Sequence, residues 1–334
     1  MQHESEQEMS QAVQEGPGTG SGIESPTHFR LEQVAEGVWA AIGTPGMGAC
    51  ANAGIIDLGD RTIVFDTFQT PVAARELRRA AEGLTGRPVS LVINSHFHAD
   101  HTFGNQVFRD VPILSTKATR ERVAEFAPLV INSYREDGPP YLIEQEELLA
   151  TMEEGAAREA FALDLASTRW LVDSALGTEM RLPDLLIAER LTLVGSKRTV
   201  ELQVHKGHTF SDIICLLPEE RLCFVGDLVL VANHLWMGHG TTEGWFATLD
   251  RLAGLGFERL VPGHGPVGGA EWIGEARRYL SLVLDRAAAA VTRGSTPEEA
   301  AAEPMPEAYA AWSFPAGWAR NMQAMVEELS QKKG

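Results

Sequence analysis

Residues 91–105 read LVINSHFHADHTFGN. The apolar run VSLVIN, 89–94, has the composition of a buried strand. Directly after it come His96, His98, Asp100 and His101, four metal-ligating side chains in six positions of a chain with 10 histidines. Where a strand ends, residues two apart project to the same side, so His96 and His98 can share one cation. Asp100 and His101 fall in the following turn, at the start of a short helix, and point toward a second cation. Burying three histidines and an aspartate without partners is costly, which favours metal chemistry over a core role.

Further along, single polar residues stand at the ends of other strand-like runs. His208 lies in VHKGHTFSD, in a loop between two strands; Asp227 ends a strand in LCFVGDL; His264 sits between glycines in LVPGHGPV. Upstream, Asp66 closes VFDT. A site built on a sheet collects its ligands at such strand ends.

Taken in order, HFHADH, GHT, GD and GHG, preceded by Asp66, resemble the metallo-β-lactamase superfamily over residues 31–293. The resemblance implies an α+β fold, a four-layer αβ/βα sandwich with a dinuclear metal site along one edge. By the same resemblance His96, His98 and His208 bind the first metal, Asp100, His101 and His264 bind the second, and Asp227 bridges them. Asp66 is implied to support the site by orienting a ligand rather than by binding metal, since such carboxylates orient ligand histidines and raise their basicity. Asp212 either acts similarly or makes a hydrogen bond at a strand start. His234 and His239, in VANHLWMGHGTTEGW, are expected near the site mouth as candidate substrate contacts. His3 and His28 fall in the tail or on the surface, and His205 ends a strand.

Imidazole and carboxylate without thiolate suit two zinc ions, and iron or manganese also fit such donors. Two cations about 3.5–4 Å apart acidify a shared water toward a pKa of about 7, giving hydroxide at neutral pH. The implied activity is hydrolysis of an acyl bond (ester, lactone, thioester or cyclic amide, β-lactams included), with Asp100 orienting the nucleophile and moving a proton. Asp227 stands where one branch of β-lactamases has a cysteine, which turns the expectation toward the glyoxalase-II-like and lactonase-like branch. The alternatives are an iron-dependent sulfur dioxygenase type of redox enzyme and a small-molecule phosphodiesterase.

The chain has 334 residues, 44% hydrophobic and 22% charged, enough for a sizeable core without staples. Lys and Arg number 28 against 46 Asp and Glu, a net charge of −18 that repels phosphate backbones and argues against a nucleic-acid partner. No apolar run is long enough to span a bilayer, so no membrane partner is expected. The first residues, MQHESEQEMSQAVQEGPGTGSGIESP, have neither a basic start nor an apolar stretch and read as no signal peptide, so a cytoplasmic enzyme is expected. Cys50, Cys215 and Cys223 match no metal motif, and three cysteines make no disulfide framework. Cys215 and Cys223 sit in apolar runs and read as core.

The organisation expected is a disordered acidic tail over 1–27, a catalytic unit over 28–293 and a helical extension over 294–334. Residues 31–43 read as one strand, and the Gly-rich 43–54 as a flexible turn, a flap over the site. Residues 117–183 read as a helical insertion divided at Pro128 and at Gly138-Pro139-Pro140. It is expected to cap the pocket around an apolar substrate portion or to make a homodimer contact. Strands are expected at 185–194, 198–204, 212–217 and 221–226, and Trp312, Phe314 and Trp318 as packing anchors. The partner is a small-molecule substrate.

Overall fold

The computed structural model describes residues 26–332. The expected tail, save Pro26 and Thr27, lies outside the described residues, as does His3.

One sheet runs in the order β1 (Phe29–Ala35), β2 (Val38–Gly43), β3 (Ala53–Asp57), β4 (Thr62–Phe65), β5 (Val89–Ile93), β6 (Ile113–Thr116) and β7 (Leu185–Ile187). It is antiparallel from β1 to β4 and parallel from β4 to β7. The second sheet contains β8 (Arg190–Val194), β9 (Thr199–His205), β10 (Asp212–Leu217), β11 (Leu222–Gly226), β12 (Arg259–Pro262) and β13 (Gly268–Gly269), again in chain order. Only β11 and β12 pair in parallel there.

Period-two alternation explains the layers. In β10, Ile213, Cys215 and Leu217 face the first sheet, meeting Ile56, Ile63, Phe65 and Ile93. Ile214 and Leu216 face outward, against α6 (Thr242–Ala253), α7 (Glu271–Arg293) and α9 (Ala316–Gln331), through Trp245, Leu280 and Met322. On the other side, Ile55, Val64 and Val92 pack on Ala73, Ala74 and Leu77 of α1 (Pro71–Thr85). The αβ/βα sandwich is therefore observed. Cys215 and Cys223 are buried in different clusters on opposite faces of the second sheet, as small core residues.

Several boundaries differ from expectation. Residues 31–43 form two strands, because Gly37, at φ 69°, turns the chain back on itself. Residues 185–194 likewise divide: β7 joins one sheet and β8 the other. Pro128 lies inside α3 (Lys117–Glu136) without ending it. Its ring leaves the Ala124 carbonyl without a helical donor, but both residues are exposed, so the carbonyl is not buried without a partner. The division expected at Gly138-Pro139-Pro140 is found, where Pro139 starts α4 (Gly138–Thr151), and a second falls before α5 (Ala156–Ala175). The Gly-rich loop is pinned rather than a flap. Asn52 accepts from the Gly43 amide at 3.1 Å and donates to the Pro262 and Gly265 carbonyls at 2.9 and 2.8 Å. The expected surface residue His28 is buried, its Nδ1 on the Met47 carbonyl and its ring against Trp170.

Beyond α7, α8 (Pro297–Ala301) and α9 complete the cluster around Tyr279. Trp312 stacks on Tyr279 at 5.6 Å and Trp318 donates to the Glu303 carbonyl, so both pack as expected. Phe314 instead stays 40% exposed beneath Arg320. No described helix is long and apolar enough to cross a membrane.

Strand direction gathers the polar residues. β4 and β5 are parallel, β9 and β11 flank β10 antiparallel to it, and β12 follows β11. The carboxyl ends of each group therefore open on one edge, where α/β sheets bind ligands. Asp66, His96, His208, Asp227 and His264 all follow those ends.

Candidate metal centre

His96, His98, His208 and Asp227 form one group whose ligand atoms all lie within 4.8 Å of one another, and His101, Asp227 and His264 form a second. Asp227 belongs to both. Its Oδ2 lies 3.4 Å from His208 Nε2 and 3.4 Å from His264 Nε2, and its Oδ1 lies 3.3 Å from His101 Nε2. Asp100 Oδ2 lies 3.0 Å from His264 Nε2 and 3.5 Å from His101 Nε2. Gly263 makes this approach feasible: a Cβ there would stand 1.8 Å from Asp227 Oδ1.

Hydrogen bonds select the tautomers. Asp66 accepts from the Ser95 amide and hydroxyl, both at 2.7 Å, and from His101 Nδ1 at 2.8 Å. The Ser95 hydroxyl, its proton committed to Asp66, accepts from His96 Nδ1 at 2.9 Å. His208 Nδ1 donates to the Trp236 carbonyl at 3.1 Å. His239 Nδ1 accepts from Trp236 Nε1 at 3.4 Å and from His98 Nε2 at 2.8 Å. The nitrogens left without protons are His96 Nε2, His98 Nδ1 and His208 Nε2. They face one another at 3.0 and 2.9 Å, lone pair to lone pair. In the second group, buried His101 Nε2 and Asp227 Oδ1 have no hydrogen-bond partner among the described residues. Unprotonated imidazoles converging on a carboxylate are the donors a divalent cation requires, so the residues fit metals at both positions.

At the first position the electrostatics agree; at the second the carboxylates favour protonated His101 and His264, whose protons a bound cation would displace. Burial, then the neighbouring histidines, hold His96 well below the ordinary imidazole range. Burial likewise lowers His208 to about 4. Burial opposes charge on His101, but Asp100, Asp227 and Asp66 overcome it and raise its pKa strongly. Burial also opposes ionisation of Asp100, yet His101 and His264 hold it well below the usual carboxylate range. Burial raises the Asp66 carboxyl, while His101 and Ser95 pull the other way. Cys50 is exposed at its surface, yet the protein packed around its sulfur, and then Asp100 and Asp227, push its thiol up.

The remaining expected residues separate. Asp212 touches no ligand histidine. It accepts from the Thr209 amide and hydroxyl, the strand-start role, and burial raises it to about 7. His234 is displaced from the mouth. Asn233 bridges to Ser313, which draws His234 under the C-terminal segment, buried with Nδ1 2.9 Å from the Tyr279 hydroxyl. His239 does reach the site, as the partner of His98. Removing it by His239→Ala leaves the His98 Nε2 proton to water; a loss of about 10-fold in metal affinity, read by competitive chelation, is expected.

Two residues carried no sequence signal. Cys50 stands with Asp100 and His264 in a third group within 4.8 Å. Tyr134, on α3, is raised to about 12 by burial, with Cys50 and Asp100 adding to it, so this helix borders the centre. Phe97 and Phe126 flank His239 and make an apolar wall beside His98.

Solved structures share this fold. A solved metallo-β-lactamase from Pontibacter korlensis matches with a TM-score of 0.56 and 16% identity, over 76% of this chain and 99% of that one. One from Erythrobacter litoralis, with β-mercaptoethanol in its active site, matches at 0.55 and 16%, over 78% and 99%. These likenesses speak to the fold. The family model described as the metallo-beta-lactamase superfamily matches residues 51–264, the span from the loop before β3 to the last of the clustered histidines, and the chain belongs to that superfamily.

Proposed function

We propose that the protein is a zinc-dependent hydrolase that cleaves an acyl bond in a small molecule: an ester, lactone, thioester or cyclic amide. The observation that carries this is the convergence of three unprotonated imidazole nitrogens on Asp227, which also reaches His101 and His264. His96, His98 and His208 would hold one ion, His101, His264 and Asp100 the other, and Asp227 both. Bound divalent ions supply a polarised carbonyl and a water acidified toward a pKa of about 7. Asp100 is the most exposed of the site's carboxylates, at 19% against 7% for Asp227 and 1% for Asp66. It is also ionised, so it is the group that orients an incoming nucleophile and takes its proton. The apolar wall of Phe97 and Phe126 favours a substrate with a hydrophobic portion on the His98 side.

The test is initial rates of zinc-loaded protein and a chelated control on a thioester, a homoserine-type lactone, an aryl ester, a β-lactam and a phosphodiester. Chelator-sensitive turnover concentrated on one acyl bond is expected. Turnover on the phosphodiester alone would move the protein to phosphoryl chemistry. Inactivity throughout, with iron in the isolated protein, would favour the redox alternative.

Self-association through the helical segment belongs to the same proposal. α3 and α4 expose Leu129, Tyr141, Ile143 and Leu148, and exposed apolar groups of this kind mark interaction faces. Sedimentation of the parent chain as a dimer, and of a Leu129→Ser, Ile143→Ser, Leu148→Ser variant as a monomer, is the expected result. Identical sedimentation of the two would remove it.

A further inference from the structure

Cys50 belongs to none of the motifs that mark this site, yet its backbone aims it there. It adopts φ 65°, a left-handed conformation that costs a residue with a Cβ about 1–3 kcal/mol and persists only where its surroundings impose it. The surroundings do so. The Ala49 carbonyl accepts from the amides of Ala51 at 2.9 Å and Gln69 at 3.2 Å. On the other side, the Asn52 amide donates to the Gly263 carbonyl at 2.7 Å, and the Asn52 side chain grips Pro262 and Gly265. The segment carrying Cys50 is thus tied directly to the segment carrying His264. Its Sγ, a carboxylate oxygen of Asp100 and a ring nitrogen of His264 lie within 4.8 Å of one another. Wholly buried His101 directs its Nε2, which has no hydrogen-bond partner among the described residues, toward the same position, 3.5 Å from Asp100 Oδ2.

We infer that Cys50 Sγ is a further ligand of the second metal, beside Asp100, His101 and His264. The inference rests on the dinuclear reading above. The two positions then differ in kind: the first has imidazole and carboxylate only, the second a thiolate as well. A soft sulfur donor directs that second position toward zinc, cobalt or cadmium and away from magnesium or manganese. Cys215 and Cys223, both fully buried in the core, cannot substitute for it.

The test uses the full chain loaded with two equivalents of cobalt(II). Near-ultraviolet thiolate-to-cobalt charge-transfer absorption is expected in the parent. Cys50→Ala should lose that band while the visible cobalt bands of the first position remain. A second readout needs no variant: alkylation of Cys50 by iodoacetamide, located by mass spectrometry, should be at least 10-fold slower with two equivalents of zinc bound than in metal-free protein. Two bound cobalt ions with no charge-transfer band and unprotected Cys50 would overturn the inference and leave the dinuclear reading standing. Failure to bind cobalt at all would overturn both.

Discussion

Asp227→Asn is expected to abolish the dinuclear centre, with metal content falling from two equivalents to one or fewer and turnover dropping by more than about 100-fold. That bound follows from the 10–100-fold lost when only an outer partner of a ligand is removed. Asp227 carries more than that. Its two oxygens face His208, His264 and His101 at 3.3–3.4 Å, so one carboxylate serves both groups. Asparagine keeps the shape but removes the charge and replaces one acceptor by a donor. The new N–H₂ would either donate to an imidazole nitrogen, tying up a lone pair the metal needs, or face a cation and repel it. Burial opposes the Asp227 charge, yet His264, His101 and His208 hold its carboxyl well below the usual range, so the ionised form is the one the site is built around. Metal analysis of the purified variant, together with its rate on whichever acyl substrate the parent cleaves, checks this. Two retained equivalents with near-parental turnover would show that Asp227 is not shared.

How much of this was legible depended on whether proximity in space followed from proximity in sequence. His96, His98, Asp100 and His101 were legible because one strand end and one turn of helix place them together, whatever the rest of the chain does. His208, Asp227 and His264 were legible only as an ordered set, since each alone is an ordinary loop residue. Cys50 and His239 were not legible in their roles. Cys50 reaches the centre because Asn52 crosses to the 262–265 segment, and His239 because its strand-like segment bridges to Thr209. Neither contact leaves a periodicity or a motif. His234 failed for the opposite reason: five residues before His239, it is drawn away by a bridge to Ser313, which lies in a region read only as helical. In the fold, alternation marked the strands of both sheets, but it could not reveal that the apolar run 185–194 crosses from one sheet to the other. Nor could it foresee that Pro128, on an exposed helix face, leaves the helix intact.

Asp66→Asn should be nearly as damaging, although Asp66 is no ligand. The expected loss is about 10–100-fold in metal affinity, larger at the second position than at the first. The reason lies in proton bookkeeping around a buried carboxylate held at φ 61°. Asp66 accepts three hydrogen bonds and donates none, and the one from His101 Nδ1 keeps the His101 Nε2 lone pair free. Asparagine offers one acceptor and one donor. If its oxygen takes the Ser95 amide, its N–H₂ faces His101 Nδ1, and the imidazole relieves the clash by moving its proton to Nε2, where it blocks the metal. If the amide flips, the Ser95 N–H is left without an acceptor in a site with no solvent, at a cost of about 1–3 kcal/mol. His96 is affected less, because it is reached through the Ser95 hydroxyl, which can turn to keep accepting from His96 Nδ1. The two positions should therefore separate in a zinc competition titration: one site weakened by less than about 10-fold and the other by up to about 100-fold. A lower melting temperature is expected even in chelator, since the lost hydrogen bonds do not depend on metal. Two sites of parental affinity in a variant with an unchanged melting temperature would mean that the tautomer of His101 is fixed by something other than Asp66.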